Sequence, residues 1–180
     1  MSPAVESILV VCTGNLCRSP AAAALLQAAL PTVRVTSAGT RALVGAPVAA
    51  PMAALLAADG HPMTDFAATQ VEAGHLRAAD LVLTATAEHR AAVVELAPAV
   101  VRRAFTILEF ARIVKAGPLA LGGAPLPEVV PRVAAARFAV AAELDDLRDP
   151  YGLSDAVHLQ VYDRIRTAVG TMLGRRVPVG

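Results

Sequence analysis

Tryptophan is absent, and the 180-residue chain has only two Tyr and four Phe. That leaves little aromatic surface for stacking on bases. Charge of one sign is also missing, since 16 Lys+Arg against 15 Asp+Glu leaves a net charge of +1. With no basic stripe and no interleaved aromatics, a broad nucleic-acid footprint is excluded. Lysine is nearly absent, Lys115 standing against 15 Arg, a bias that tracks GC-rich coding and hints at a bacterial source. The two cysteines, Cys12 and Cys17, are too few for a disulfide framework. Nor do they suit zinc, because two thiols without a neighbouring His leave two ligands missing. The longest uncharged stretch, Ala42 to Ala58, is broken by Gly45, Pro47 and Pro51, and a bilayer span needs about 20 strongly apolar residues. No membrane insertion is expected. Met1 to Ser7 has no basic region ahead of an apolar run, so no signal peptide is read and the cytoplasm is expected.

What the chain does have is aliphatic content, with hydrophobic residues at 56%, which excludes wholesale disorder. Its length fits a single domain over residues 1–180. Ile8 to Cys12 is a continuously apolar, β-branched run closed by Thr-Gly-Asn, the pattern of a buried parallel strand. Ser19 suits a helix N-cap and Pro20 the first helical position, with an alanine-leucine helix to Leu30. A second strand is expected over Val33 to Ser37, a helix from Pro47 to Asp59 stopped by Gly60, another over Val71 to Ala79, and a third strand over Asp80 to Thr84. Glu88 to Leu96 reads as helix and Ala104 to Leu108 as a fourth strand. Gly117 to Pro131, with four prolines and three glycines, reads as a loop. Pro131 to Leu147 reads as a helix whose acidic end, Glu143, Asp145 and Asp146, is solvated. Ser154 opens a final helix with Val157, Val161, Ile165, Val169 and Met172 toward the core. Strands alternating with helices imply an α/β fold whose parallel sheet is covered on both faces.

The chemistry concentrates in Cys12-Thr13-Gly14-Asn15-Leu16-Cys17-Arg18-Ser19-Pro20, between a buried strand and a helix N-terminus. Ligands bind at that position in open parallel sheets. The backbone N–H groups of a tight loop converge on an anion, and the helix dipole adds positive potential. Gly14 and Asn15 tolerate the left-handed angles such a curl requires. Arg18 adds a planar fork matching two phosphate oxygens. The donors that hold phosphate also favour a thiolate at Cys12, placed to attack a bound phosphorus.

This stretch resembles the signature loop of the low-molecular-weight protein tyrosine phosphatases, Val-Cys-x-Gly-Asn-x-Cys-Arg-Ser-Pro, with every fixed position filled. The resemblance implies a three-layer sandwich with a four-stranded parallel sheet in the order 2-1-3-4. It also implies a phosphocysteine mechanism without metal or organic cofactor, acting on a phosphorylated protein. Cys12 is the expected nucleophile and Arg18 the phosphate clamp. Asp149, in the single Asp149-Pro150-Tyr151, is the expected general acid, with Pro150 restricting its backbone. Thr13, Gly14, Asn15, Leu16, Cys17 and Ser19 are expected around the bound phosphate, with Ser37 supporting the loop. Cys17 matches the family's second cysteine, which can form a reversible disulfide with the nucleophile; a passive apolar role is the alternative. His61, His75, His89 and His158 fit no metal spacing and are read as structural or surface. Where the family often has a His supporting the loop asparagine, this chain has Asp65. The segment of about 111–147 is longer than a minimal member needs, as a lid or a packing element.

Two positions bear on substrate. The family walls its pocket with aromatics; Tyr151 supplies one, but the second loop offers only Leu43. Thr13 stands where tyrosine phosphatases carry Ile or Leu and where protein arginine phosphatases of the same fold carry Thr. The expected function is therefore phosphotyrosine hydrolysis, with phosphoarginine as the alternative. Arsenate reductases share Cys-Thr-Gly-Asn but need a third cysteine, and a non-catalytic phosphopeptide module is the remaining class.

Overall fold

The computed structural model describes residues 6–117, 119–141 and 143–174. Strand β1 (Ser7–Cys12) is central, pairing in parallel with β2 (Arg34–Gly39) on one side and β3 (Leu81–Thr84) on the other; β4 (Ala104–Thr106) extends the sheet beyond β3. The order is β2-β1-β3-β4, as the resemblance implied. Because successive side chains of a strand face opposite ways, β1 serves two cores at once. Ile8, Val10 and Cys12 face the larger cluster, and Leu9 and Val11 the smaller. That is why the run is apolar without alternation.

Helices α1 (Arg18–Ala29), α2 (Ala50–Ala58), α5 (Ile107–Ala116), α6 (Leu126–Ala136) and α7 (Asp155–Met172) contribute to the larger core. Helices α3 (Ala73–Ala78) and α4 (Ala87–Leu96) cover the opposite face. In α7, Val161, Ile165, Val169 and Met172 are buried and Val157 packs at the margin, with Ser154 at the N-cap. No described helix is long and apolar enough to cross a membrane.

Several expected boundaries move, each for a local reason. Helix α1 starts with Cys17, not Ser19, at its N-cap, because the Ser19 hydroxyl is engaged by the loop. Strand β4 stops at Thr106 and does not reach Leu108. There the Thr106 hydroxyl accepts from the Glu109 N–H at 3.0 Å, and the Glu109 carboxylate accepts from the Thr106 N–H at 3.2 Å. This capping box starts α5. The proline-rich stretch is not wholly a loop, since α6 begins inside it. Pro127 falls in the first turn, where helix N–H groups lack intrahelical acceptors anyway. The Glu6 carboxylate accepts from the Leu126 N–H at 3.0 Å, and Leu126, Val129, Val130 and Val133 form the buried stripe. The expected helix to Leu147 ends at Ala136.

The acidic group is not a helix end either, although Glu143 and Asp146 are exposed as expected. Asp145 makes a two-pronged pair with Arg112, at 2.6 and 3.2 Å. Asp146 Oδ1 accepts from the Ala87 N–H at the start of α4, at 2.7 Å. Leu147 is buried, and its N–H donates to the Ala85 carbonyl just beyond β3. These three anchors pin the chain immediately ahead of Asp149.

Candidate active site

At the end of β1 the chain turns through Thr13 to Cys17 and enters α1. Asn15 takes a positive φ of 58°, the left-handed conformation that asparagine tolerates better than most residues. The loop carbonyls are tied outward. Backbone N–H groups of Thr40, Arg41, Leu43 and Ala49 donate to the carbonyls of Cys12, Thr13, Gly14 and Leu16. With the carbonyls held away, the N–H groups from Thr13 to Arg18 have no protein acceptor among the described residues, the arrangement of an anion nest. Gly39 makes the backing possible. A Cβ there would lie 2.3 Å from the Thr13 carbonyl oxygen and 3.0 Å from the Asn15 nitrogen.

Side chains lock the same curl. Asn15 Nδ2 donates to Ser19 Oγ at 2.8 Å and to Ser37 Oγ at 2.9 Å. Asn15 Oδ1 accepts from the Thr69 N–H at 2.8 Å. The support that a His often gives in the family comes here from a backbone amide, and Asp65 is exposed. Ser19 Oγ lies 3.0 Å from Cys12 Sγ. That hydroxyl accepts from Asn15 and has the Ala38 carbonyl at 3.3 Å, so the sulfur and this carbonyl share its one proton.

Arg18 is buried in the first turn of α1. Its Nη1 donates to the Leu147 carbonyl at 3.0 Å, and its Nη2 reaches Thr13 Oγ1 at 3.3 Å and Asp149 Oδ2 at 2.8 Å. Its buried Nε has no partner among the described residues, leaving that N–H for an oxyanion. Asp149 is half-exposed, and its other oxygen accepts from the Tyr151 N–H at 3.2 Å. Pro150, between them, is buried. A cavity of about 190 Å³ opens over this cluster, lined by Cys12, Thr13, Gly14, Leu16, Cys17 and Arg18 beneath, and by Leu43, Asp149 and Tyr151 at the rim. Asn15, Ser19 and Ser37 support the loop from behind.

Two neighbours of the site are not among the expected site residues, His89 being expected only as structural or surface. Arg41 also lines the cavity, adding a cation at its mouth; the sign was its place directly after Gly39-Thr40, at the carboxyl end of β2. His89 is the other. It is buried in the first turn of α4, with Nε2 2.8 Å from Thr13 Oγ1 and Nδ1 2.8 Å from Thr86 Oγ1. Burial, aided by the Arg18 cation, pushes its pKa below the ordinary imidazole value. The ring is neutral near pH 7. Cys17 is buried with Sγ 3.9 Å from His158 Nε2. Burial, then the nearby Cys12 and Asp149, push its thiol up to about 12 against the opposing pull of Arg18. Cys17 therefore stays a thiol near neutrality.

Comparison with known proteins gives one answer. Residues 7–120 match the family model described as low molecular weight phosphotyrosine protein phosphatase. Among curated relatives, the low molecular weight protein-tyrosine-phosphatase Etp of Escherichia coli is 45% identical over 95 residues, 53% of this chain and 64% of its own. Wzb of Salmonella typhi is 42% identical over 93 residues, 52% of this chain and 62% of its own. The aligned stretches thus span less than two thirds of those relatives. Solved structures extend the likeness. The AmsI tyrosine phosphatase of Erwinia amylovora superposes with a TM-score of 0.72 at 26% identity, covering 96% of this chain and 93% of that one. The YwlE arginine phosphatase of Geobacillus stearothermophilus gives 0.70 at 28%, covering 93% and 90%. On its loop, its sheet order and the match over residues 7–120, the chain belongs to the low molecular weight phosphotyrosine protein phosphatase family.

Proposed function

We propose that this chain is a phosphomonoesterase that removes phosphate from tyrosine in proteins through a phosphocysteine intermediate. The observation that carries the reading is the convergence of Cys12, Arg18 and Asp149 on one small cavity, although Asp149 lies far from the others in sequence and outside the matched residues 7–120. The phosphoryl group sits in the nest, its oxygens taken by the loop N–H groups and Arg18. Cys12 sulfur attacks phosphorus, forming an S–P bond as the P–O bond to the phenol breaks. Asp149 gives its proton to the departing oxygen. Water then attacks phosphorus, its proton passes to Asp149, and the S–P bond breaks to release inorganic phosphate and the thiolate. Tyr151 and Leu43 flank the mouth, where a phenyl ring would lie between one aromatic and one aliphatic wall. The segment 111–147 belongs to the same domain, since its Leu147 holds Arg18. Both cysteines are free, and a thiol nucleophile beside a second cysteine is best preserved in a reducing compartment, which supports the cytoplasm.

A phosphorylated guanidine is the second reading, favoured by Thr13 beside the nucleophile. The test for both is phosphate release from phosphotyrosyl and phosphoarginyl peptides, with acid quenching to trap labelled phosphate on Cys12. Labelled enzyme and released phosphate are expected. Phosphate release without label on Cys12 would remove the covalent mechanism, and binding without release would make the chain a phosphopeptide module.

A further inference from the structure

Thr13 Oγ1 is a junction. It accepts from Arg18 Nη2 at 3.3 Å and meets His89 Nε2 at 2.8 Å, while the other ring nitrogen of His89 meets Thr86 Oγ1 at 2.8 Å. The Thr86 oxygen also accepts from the His89 backbone N–H at 3.2 Å, which leaves it one lone pair for a proton on Nδ1. With both nitrogens engaged and the ring buried, His89 cannot swing away. Arg18 Nη2 also holds Asp149 Oδ2 at 2.8 Å, so Thr13 and the expected acid lie around one nitrogen, on the side where the leaving group departs. A hydroxyl has one proton and two lone pairs. With Arg18 filling one lone pair, what Thr13 offers the pocket depends on His89. If Nε2 carries the ring proton, it fills the second lone pair and Thr13 offers a donor. If Nε2 is bare, it takes the Thr13 proton and a lone pair is left for the pocket.

The charge on Arg18 selects between them. A cationic N–H polarises the hydroxyl that accepts from it and strengthens that hydroxyl's onward donation, so the chain runs from Arg18 through Thr13 to His89 and Thr86. We propose that His89 is a positioning residue that turns the Thr13 proton away from the pocket, presenting a hydrogen-bond acceptor to the leaving atom and fitting the site to a phosphorylated guanidine N–H as well as to a phenolic ester. The assignment rests on the phosphatase reading and deepens it. Burial and Arg18 keep the ring neutral, against weaker opposing pulls from Glu88, Asp149 and Asp146, as the chain requires; an imidazolium would have no bare nitrogen to receive the proton.

Nitrogen-15 NMR of the imidazole in the resting wild-type protein tests the assignment without turnover. The proton is expected on Nδ1 and the lone pair on Nε2; a protonated Nε2 would overturn it. In the kinetic arm, kcat/KM for phosphoarginyl relative to phosphotyrosyl peptide should fall about tenfold in His89→Leu and in Thr13→Val, the cost of one lost hydrogen bond. The double variant should fall no further than Thr13→Val, and His89→Gln should recover part of the ratio. An unchanged ratio, or losses that simply multiply, would sink the proposal. If the wild type releases phosphate from neither peptide, the phosphatase reading fails, while the ring tautomer still decides the role of His89.

Discussion

The nest and the acid reach the same cavity by opposite routes. Asn15 finds Ser19, Ser37 and Thr69 at separations of 4, 22 and 54 residues, and its neighbours' carbonyls are tied to residues 40–49. The stretch before Asp149 is held by bonds spanning 33 residues to Arg112, 59 to Ala87 and 129 to Arg18. The first region is one strand, one turn and one helix end, braced by Ser37, Thr69 and residues 40–49. The second is irregular chain, and its geometry exists only because separate anchors hold it. In the proposed mechanism a site made this way separates the holding of phosphate from the delivery of a proton, and each should be breakable alone.

Breaking the nest should have the largest effect. Cys12→Ser is expected to cut aryl phosphate turnover on the order of 10^4-fold or more, measured at saturating substrate; turnover near wild type would place the nucleophile elsewhere. Asp149→Ala comes next, with a loss of roughly 10^2 to 10^4-fold for a phenol of high pKa and less for a nitrophenol. Equal losses across leaving groups would mean that Asp149 does not supply the proton.

Loosening the acid's anchor should cost less. Arg112→Ala removes the partner of Asp145, at 15% side-chain exposure for each, and about 1–3 kcal/mol of stability is expected. Turnover should fall several-fold while alkylation of Cys12 keeps its wild-type rate. Matching falls in both would show that the two regions are not separable.

The smallest effect contrasts the two thiols. The folded protein raises the Cys17 pKa from 9.0 to about 12, so it resists deprotonation that the unfolded chain accepts. The stability this confers is complete below about pH 9 and is lost as pH rises from there toward 12. Denaturation midpoints of wild type should therefore drop more steeply over that window than those of Cys17→Ala. Parallel slopes would refute the shifted thiol.

How much was legible follows the same division. The fold class, β1, the phosphate loop and the final helix could be read because each is specified by neighbours in sequence: a β-branched run, turn residues at an anion-binding curl, an apolar stripe at helical spacing. The start of α5 was legible in Thr106-Ile-Leu-Glu109 and was passed over for an apolar run. The roles of Asp145 and Asp146 were not legible, because their partners Arg112 and Ala87 lie at separations no periodic pattern encodes.

His89 shows the limit most clearly. Its sequence context is that of any helix residue, and only the parallel pairing of β3 with β1 carries the start of α4 to the loop. The chain's own order of residues determined a cysteine beneath an anion cradle, since strand, turn and helix end are local structures with local causes. Tertiary structure alone decided which arginine N–H and which histidine meet there, and it brought Asp149, named already by the resemblance, across the chain to join them. Hydrogen bonds act over about 3 Å of space, whatever the length of chain between their ends.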